Sequence, residues 1–514
     1  MTVHRTGVLV IGTGFSGLGM AIQLRRRGRT DFLILEKSDS VGGTWRDNTY
    51  PGCACDVPSH MYSFSFEPNP DWSKMWSGQP EILRYLEGLS EKYRLNQHIR
   101  FGAECVGGHW DENELQWHIK AANGDEYIAQ FLVSGVGALH IPNIPTLNGI
   151  ESFTGEAFHS ARWNHDVDLT GKKVAVIGTG ASAVQFVPSI VDTVGELQLY
   201  QRSPAWVLPR QNFSIPAPVR RLFRTVPLLR KALRGSVYWS AESLAVGLNG
   251  HSNLLRPVEY AARKYIEREV KDPELRRTLI PDYRIGCKRI LGSNSYYSAL
   301  TKPHAEVIAD GIAEIREGSI VGADGTEREV DVIVYATGFH VTDGFDAVNV
   351  AGIGGRALVP HWEENGIETH LGIAAAGYPN AFFLLGPNTG LGHNSVVFMI
   401  EQQIQYVLQA IECVEHGAAG ALTVREQTQR AFTSEIQTKL AKGVWSTGGC
   451  TSWYLDSRGV NRTVWPGFTW QYWLRTRRFA PSEYEFLFPK HIDADVDSDA
   501  DPNDIGIEIE EVHV

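Results

Sequence analysis

The sequence has no apolar run long enough to cross a bilayer, which requires roughly 18 residues, so no membrane span is expected. The first predicted strand begins within about ten residues of Met1, which leaves no space for a signal peptide. We therefore expect a cytoplasmic protein. Basic residues are not in excess, since 48 Lys and Arg face 59 Asp and Glu, and this argues against a nucleic-acid-binding surface.

Cysteine is scarce, with six residues in a chain of 514, and its spacing excludes the common zinc motifs. Cys53 and Cys55 are too close together for a C-x₂-C pair, and no other spacing is typical of a zinc site. We therefore predict no metal site. Because the cytosol is reducing, we also expect all six thiols to be free.

Positive charge is absent from residues 493–511, which contain nine acids and no Lys or Arg. The formal net charge of −11 falls to about −2 when this segment is set aside. Such a composition is typical of a solvated chain end that cannot build a core. We expect residues 491–514 to form an acidic, disordered tail.

Two glycine-rich segments of the kind that binds a dinucleotide are present. They are Gly12-Thr13-Gly14-Phe15-Ser16-Gly17, the first finger, and Gly178-Thr179-Gly180-Ala181-Ser182-Ala183, the second finger. Each finger follows an apolar run, at 7–11 and 174–177, and opens a helical segment that a second apolar run follows, at 32–35 and 197–200. This is the Rossmann context, in which pyrophosphate binds at the helix N-terminus.

The residue 24 positions after the first glycine of each finger differs in charge, being Glu36 in one unit and Arg202 in the other. In a Rossmann unit this position lies beside the nucleotide ribose, where an acid suits a free 2′-hydroxyl and an arginine suits a 2′-phosphate. The pair predicts two cofactors, FAD on the first unit and NADP(H) on the second, with electrons passing between them.

These units predict an α/β fold of two Rossmann-like dinucleotide-binding domains with a helical insertion, and the length of the chain favours several domains. A late apolar strand, 381–385, and a helix over 396–413 would return to the first unit. The FAD-binding domain is predicted at 1–148 and 376–490, and the second of these parts also contains the loops of the substrate pocket. The NADP-binding domain is predicted at 149–214 and 296–375. The helical insertion is predicted at 215–295.

Within the insertion, residues 215–279 have a helical pattern. In its first part, basic residues interleave with Leu and Phe, namely Arg220, Arg221, Arg224, Arg230, Lys231 and Arg234. A basic amphipathic helix of this kind can lie on a membrane surface. Because Pro227 interrupts the pattern, we favour the solvated face of a lid over that alternative.

Two long signatures identify the chain as similar to the flavin-dependent Baeyer–Villiger monooxygenases, the class B flavoprotein monooxygenases. Residues 42–56, GGTWRDNTYPGCACD, resemble the GGxWxxxxYPGxxxD signature of that family. Residues 153–163, FTGEAFHSARW, resemble its FxGxxxHxxxW signature, with Asn164 where the family has Pro or Asp. The resemblance covers nearly the whole chain apart from the tail and parts of the insertion.

The resemblance implies an enzyme in which NADPH reduces FAD and the reduced flavin captures O₂ as a C4a-peroxyflavin. This species would insert one oxygen next to the carbonyl of a small-molecule ketone and give an ester or lactone. Linear, cyclic, aryl and steroidal ketones all fit, and no oligomeric state follows from the sequence. The protein would supply position, charge and exclusion of water.

The resemblance also implies roles for individual residues. Arg289 would be the catalytic cation near the peroxide, and Asp56 would hold it in place, whereas His159 is expected to be structural. The predicted FAD contacts are Gly12, Gly14, Phe15, Ser16, Gly17, Glu36, Lys37, Thr44, Trp45, Ala54, Cys55, Asp56, Tyr62 and Val106. The predicted NADP contacts are Gly178, Thr179, Gly180, Ala181, Ser182, Ala183, Arg202, Ser203, Lys288 and Trp453.

Three alternatives differ in chemistry. A flavin monooxygenase acting on N or S centres would share both fingers but lack the GGxW…D signature and an arginine placed like Arg289. A pyridine nucleotide–disulfide reductase would need a C-x₄-C pair, which Cys53 and Cys55 do not form. A non-catalytic nucleotide-binding redox sensor would consume no NADPH in air with any ketone.

Overall fold

The computed structural model describes residues 1–341 and 349–489, in which helices flank the strands of two main sheets. The predicted tail at 491–514 lies outside the described residues. The strands are β1 (Val3–Ile11), β2 (Phe32–Leu35), β3 (Ile99–Arg100), β4 (Cys105–Asp111), β5 (Gln116–Ala121), β6 (Glu126–Ser134), β7 (Glu156–His159), β8 (Lys173–Ile177), β9 (Glu196–Tyr200), β10 (Val207–Leu208), β11 (Leu291–Gly292), β12 (Ala305–Ile308), β13 (Ile312–Arg316), β14 (Ser319–Gly322), β15 (Glu327–Glu329), β16 (Val332–Tyr335), β17 (Val350–Ala351), β18 (Ala381–Phe383), β19 (Ala421–Val424) and β20 (Tyr484–Leu487).

The helices connect these strands and cover the faces of the sheets. They are α1 (Phe15–Arg26), α2 (Thr44–Asp47), α3 (Gln79–Lys92), α4 (Ala181–Ile190), α5 (Ala217–Thr225), α6 (Pro227–Leu248), α7 (Arg256–Glu269), α8 (Pro273–Leu279), α9 (Tyr296–Leu300), α10 (Leu358–Asn365), α11 (Val396–His416), α12 (Glu426–Leu440), α13 (Val444–Thr447) and α14 (Thr469–Thr476). None of them is both long and apolar enough to span a bilayer.

The first sheet carries the first finger. Its strands lie in the order β17-β4-β5-β6-β1-β2-β3, and β18 pairs with β6 as well. Strand β1 runs parallel to β2 and β6, with Val8 opposite Phe32 and Phe131. Because β18 comes from late in the chain and pairs parallel with β6, the chain returns to this sheet after the second finger has been built.

The second sheet carries the second finger and is parallel throughout, in the order β12-β9-β8-β16-β7. Val176 on β8 lies opposite Leu199 on β9 and Val334 on β16. The residues of β16 are all buried, as expected for a parallel strand with both faces covered. The α/β fold with two Rossmann-like units is confirmed, while the exact domain boundaries stay predictions.

The helical insertion lies between β10 and β11 and contains α5 to α8, so the predicted helical character of 215–279 is confirmed. The predicted interruption at Pro227 is confirmed, because α5 ends at Thr225 and α6 begins at Pro227. This proline is the first residue of α6, a position where its missing N–H costs nothing and its fixed φ favours the helix. The helical pattern is therefore two helices that meet at this proline.

A buried carboxylate attaches α6 to the rest of the protein. Glu242 is 2% exposed and accepts hydrogen bonds from Asn394 Nδ2 at 2.7 Å and from Thr469 at 2.7 Å (Oγ1) and 3.0 Å (N). His393 Nε2 lies 3.3 Å from the same carboxylate. Burial alone would raise the pKa of Glu242, but these polar contacts outweigh it and hold the pKa below its ordinary value.

The Glu242→Gln variant tests this attachment. Because the amide places N–H groups against donors, we expect the free energy of unfolding at neutral pH to fall by about 1–3 kcal/mol. The carboxylate stabilises the fold when ionised, so the difference from wild type should be full above the ordinary pKa of 4.5 and shrink as the pH falls below it. Denaturant unfolding at several pH values measures this.

The matched control is Glu426→Gln, which removes the charge of an exposed carboxylate paired with Arg430. This substitution should change stability by less than about 1 kcal/mol. Equal unfolding midpoints for wild type and Glu242→Gln at neutral pH would contradict the role given to Glu242.

Candidate functional site

The first finger connects β1 to α1, and its glycines are required by close backbone contacts. Gly12 has φ +96°, and a Cβ there would lie 2.9 Å from the carbonyl oxygen of Gly135. A Cβ on Gly17 would lie 1.8 Å from the carbonyl oxygen of Gly12. Gly43, with φ +53°, would place a Cβ 3.0 Å from Gly14 Cα. The GGxW signature therefore packs directly on the finger.

Glu36 directly follows strand β2 and is 3% exposed. Its Oε2 accepts from the Thr13 N–H at 3.1 Å and from the Thr13 hydroxyl. Its Oε1 accepts from the Ser38 N–H and lies 3.0 Å from Arg46 Nη1. The carboxylate thus fixes the finger to the end of the strand, and its predicted contact with the ribose stays a prediction.

Aromatic side chains predicted to line the flavin lie together beside the first finger. The Tyr62 ring contacts Phe15 and Trp45 edge-on, at centroid distances of 4.9 and 5.5 Å. Trp45 Nε1 donates to the Tyr62 hydroxyl at 3.2 Å. Thr44 begins the short helix α2, which places these residues next to Gly43. The structure thus brings one group of the predicted FAD contacts to one place.

Arg289 and Asp56 form an ion pair between loops that are 233 residues apart. The guanidinium donates from Nε and Nη2 to the two carboxylate oxygens, with Nη2 to Oδ1 at 2.9 Å. Its Nη1 donates to the Leu391 carbonyl at 2.9 Å. The side chains are 26% and 29% exposed, so the pair is largely surrounded by protein but still accessible.

The two charges of this pair stabilise each other. Burial would raise the pKa of Asp56, but the charge and hydrogen bonds of Arg289 outweigh it and hold the pKa below its ordinary value. Burial likewise opposes the charge of Arg289, but Asp56 keeps its pKa above the ordinary value. Near neutral pH the site therefore contains a fixed guanidinium cation, orientated by a two-point contact.

Two further residues beside this pair were missed from the sequence. Arg210 donates from Nη2 to the Cys55 carbonyl and lies over the Trp76 ring, 5.6 Å from its centroid, and its charge also lowers the pKa of Asp56. The buried Tyr454 hydroxyl lies near Arg289, whose charge offsets part of the rise in its pKa caused by burial. Neither lies in a signature motif used above, and only long-range contacts identify them.

The second finger connects β8 to α4. Gly178 has φ +110°, and a Cβ there would lie 2.5 Å from the Ala336 carbonyl oxygen. The Thr179 hydroxyl donates to the Ser203 carbonyl at 2.8 Å, which ties the finger to the chain just after β9. Ala183 occupies the last place of the finger and is fully buried.

Two cations meet beside the second finger. Arg202 is exposed, and Lys288 donates from Nζ to the Ser203 hydroxyl. Burial, followed by the nearby charge of Arg202, lowers the pKa of Lys288, and Asp282 only partly opposes this. Like charges held this close favour an anion between them, which is the electrostatic property that a 2′-phosphate site requires.

The two units contact each other through the first signature. Gln185 on α4 donates to the Ala54 carbonyl at 2.9 Å and accepts from the Ala54 N–H at 3.1 Å and the Tyr50 hydroxyl at 3.0 Å. Gly52 has φ +80°, and a Cβ there would lie 2.7 Å from the Gln185 carbonyl oxygen. The YPG part of the signature therefore packs against the helix of the second finger.

The second signature is structural, in agreement with the expectation for His159. His159 is 3% exposed, and its Nδ1 accepts from the Ala161 N–H at 3.1 Å. Burial lowers its pKa to about 4, so the ring is neutral at physiological pH. Trp163 packs on Phe186 of α4, with ring centroids 5.2 Å apart, and so joins the signature to the second finger.

Three further predicted cofactor residues are exposed, and their contacts with a cofactor stay predictions. Lys37 is exposed beyond β2. Val106 is 54% exposed, at an irregularity in the pairing of β4 with β5. Trp453 is 46% exposed and contacts Tyr454, with ring centroids 4.3 Å apart.

The prediction that all six cysteines are free is wrong. Cys287 and Cys450 form a disulfide, with Cα atoms 6.1 Å apart, and Cys53, Cys55, Cys105 and Cys413 are free. The pairing depends on two loops 163 residues apart, so the sequence spacing gave no sign of it. The bridge joins the loop before Arg289 to the loop before Trp453. Within the described ranges, no group of His, Cys, Asp and Glu could hold a metal.

Comparison with known proteins relates this geometry to two family models. Residues 10–78 match the model of an NAD(P)-binding Rossmann-like domain. Residues 81–215 match the model of the L-lysine 6-monooxygenase/L-ornithine 5-monooxygenase family. Neither match covers half of the chain.

Solved structures have the same fold over nearly the whole chain. An oxidized steroid monooxygenase bound to NADP has a TM-score of 0.84 and 30% identity, covering 94% of this chain and 99% of that one. The closed crystal structure of cyclohexanone monooxygenase has a TM-score of 0.84 and 27% identity, with the same coverage.

Curated relatives are similar along the same length. A Baeyer–Villiger monooxygenase of Pseudomonas aeruginosa is 50% identical over 478 residues, which are 93% of this chain and 90% of the relative. A Baeyer–Villiger monooxygenase of Streptomyces coelicolor is 48% identical over 483 residues, 94% of this chain and 93% of the relative. With this identity, the two fingers and the Arg289–Asp56 pair, the chain belongs to the Baeyer–Villiger monooxygenase family.

Proposed function

We propose that this protein is an FAD-containing, NADPH- and O₂-dependent monooxygenase that inserts one oxygen next to the carbonyl of a small-molecule ketone. The observation that carries the proposal is the Arg289–Asp56 pair, which provides a fixed, accessible cation near Tyr62, one of the predicted flavin contacts. An ester or lactone is the product. We place the activity in the cytoplasm.

The residues present fit both cofactors. Backbone contacts leave no space for a Cβ at Gly12 or Gly178, as expected where a chain turns tightly under a pyrophosphate. When bound, the flavin activates O₂ and the nicotinamide supplies the electrons. Glu36 and the aromatic group around Tyr62 would hold FAD, and Arg202 with Lys288 would hold the 2′-phosphate of NADP(H).

The role of Arg289 follows from charge. Oxygen insertion develops negative charge first on the attacking oxygen and then on the carbonyl oxygen of the adduct, and a preorganised cation stabilises both. Asp56 fixes the position of the guanidinium through two hydrogen bonds, and the Leu391 carbonyl fixes its third nitrogen. Little reorganisation is then needed when the charge develops.

Oxygenation of N or S centres is the principal alternative, and one family model points towards N-oxygenating enzymes. That match runs from residue 81 to residue 215, so it contains neither Asp56 nor Arg289. The residues that carry ketone oxygenation lie outside it, and we therefore keep the ketone as the substrate class. A non-catalytic sensor would have no need of a fixed, accessible cation.

The Arg289→Ala variant tests the proposed function. It should still be reduced by NADPH, because the second finger and its cations are unchanged, but ester formation from a ketone should fall by about a hundredfold or more. Stopped-flow flavin reduction and product mass from a ketone panel measure the two steps. Arg284→Ala, which removes a neighbouring arginine paired with Glu259, is the matched control and should keep both. Retained ester formation would remove Arg289 from the mechanism.

The Arg202→Ala variant tests the choice of NADPH. Loss of a charge-assisted contact to the 2′-phosphate should weaken NADPH binding by about 2–3 kcal/mol, with little effect on NADH. Titrations of both nucleotides measure this. Lys173→Ala, at the other end of β8 and paired with Glu329, should change neither affinity. An equal loss for NADPH and NADH would contradict the phosphate assignment.

A further inference from the structure

The junction of α5 and α6 presents a surface that the proposed reaction does not use. We call it the α5–α6 surface. Its apolar members are exposed by 37% to 73%, and its basic members flank them. The apolar members are Val219, Leu222, Val226, Leu228 and Leu229, and the exposed basic members are Arg221 and Lys231.

The same helices are attached to the protein by other side chains, among them Phe223, which lies next to Val219 on α5. The Phe223 ring packs edge-on against His60, with centroids 5.1 Å apart. Arg234 donates to the carbonyls of His60 and Ser63 at 2.6 and 3.0 Å. Arg224 pairs with Asp71 at 2.6 Å. These contacts fix which side of α5 and α6 faces outward.

The outward side has the pattern of an interfacial helix. Val219, Leu222 and Val226 are spaced i, i+3 and i+7 and so share one face of α5 and its end, whereas Arg220 and Arg221 lie towards the other. No residue of α5 is buried. An apolar stripe with a strongly basic opposite side is the composition that lies in the plane of a membrane surface.

Charge indicates the partner. Residues 211–241 contain six Lys and Arg and no Asp or Glu, in a chain whose formal net charge is −11. Two of the six, Arg224 and Arg234, bind the protein itself. Arg220 and Arg230 are half-buried, whereas Arg221 and Lys231 are exposed and form no ion pair with any residue among those described. A cationic patch on an anionic protein, combined with exposed apolar side chains, is complementary to an anionic lipid surface.

We propose that the α5–α6 surface docks the enzyme on an anionic lipid surface, with the leucines in the headgroup region and the basic side chains on lipid phosphates and carboxylates. The docking is peripheral and reversible. It would hold a ketone-oxidising enzyme at the lipid surface, where apolar ketones concentrate. The docking itself does not depend on the proposed reaction.

Vesicle flotation of the full-length holoenzyme tests the docking. The probes are vesicles of phosphatidylcholine alone and of equal parts phosphatidylcholine and phosphatidylserine. Binding should require phosphatidylserine and weaken as salt is raised. Absence of binding to both vesicle types, or equal binding to both, would overturn the proposal.

Paired variants assign the binding to this surface. The double variant Arg221→Glu with Lys231→Glu should lose about tenfold or more of its partitioning, because each basic residue contributes about fivefold. Arg316→Glu with Arg430→Glu makes the same change of net charge at exposed positions elsewhere and should lose much less. Equal losses in the two double variants would overturn the proposal.

The apolar part has its own pair of variants, which also serves if charge reversal prevents folding. Leu222→Ser with Leu228→Ser should reduce binding to the mixed vesicles, whereas Leu254→Ser, at a residue 59% exposed outside the surface, should not. Flavin content and NADPH consumption report folding. If sedimentation shows that this surface instead pairs two copies of the chain, or binds residues 493–511, and vesicle binding is absent, the lipid assignment is overturned.

Discussion

The pairing of Arg289 with Asp56 is the interaction on which the site depends. It joins two loops 233 residues apart, one following the helical insertion and the other closing the signature that packs on the first finger. An unpaired, accessible guanidinium would otherwise sample many rotamers and be solvated by water. The two-point contact with Asp56, with Leu391 and Arg210 around it, converts a flexible cation into a preorganised one.

Contacts between the two units hold the two cofactor sites at a fixed distance from each other. Gln185 exchanges hydrogen bonds with Ala54, and Gly52 allows the signature to lie against α4. The residues that would hold FAD are thus attached to the helix that would hold NADP(H). The disulfide between Cys287 and Cys450 adds a covalent link between the loop of Arg289 and the loop of Trp453.

Much of this fold follows from local sequence, because buried parallel strands and glycine turns leave a pattern within a few residues. The strand at 32–35 and both fingers were predicted where the structure has them, and the family resemblance singled out Asp56 and Arg289, which the structure brings into contact. Arg210, Gln185 and the disulfide could not be predicted, since each depends on contacts between residues 131 to 163 positions apart. The break at Pro227 could be predicted, because proline is tolerated in the first turn of a helix but not in its interior.

The most direct test of the central claim is the amount of ester formed per NADPH consumed by the Asp56→Asn variant, with hydrogen peroxide measured alongside. The substitution keeps the size of the side chain and removes the charge that fixes Arg289. The account predicts that NADPH is still consumed in air, that ester per NADPH falls by about tenfold or more, and that peroxide makes up the difference. An unchanged yield of ester per NADPH would contradict it.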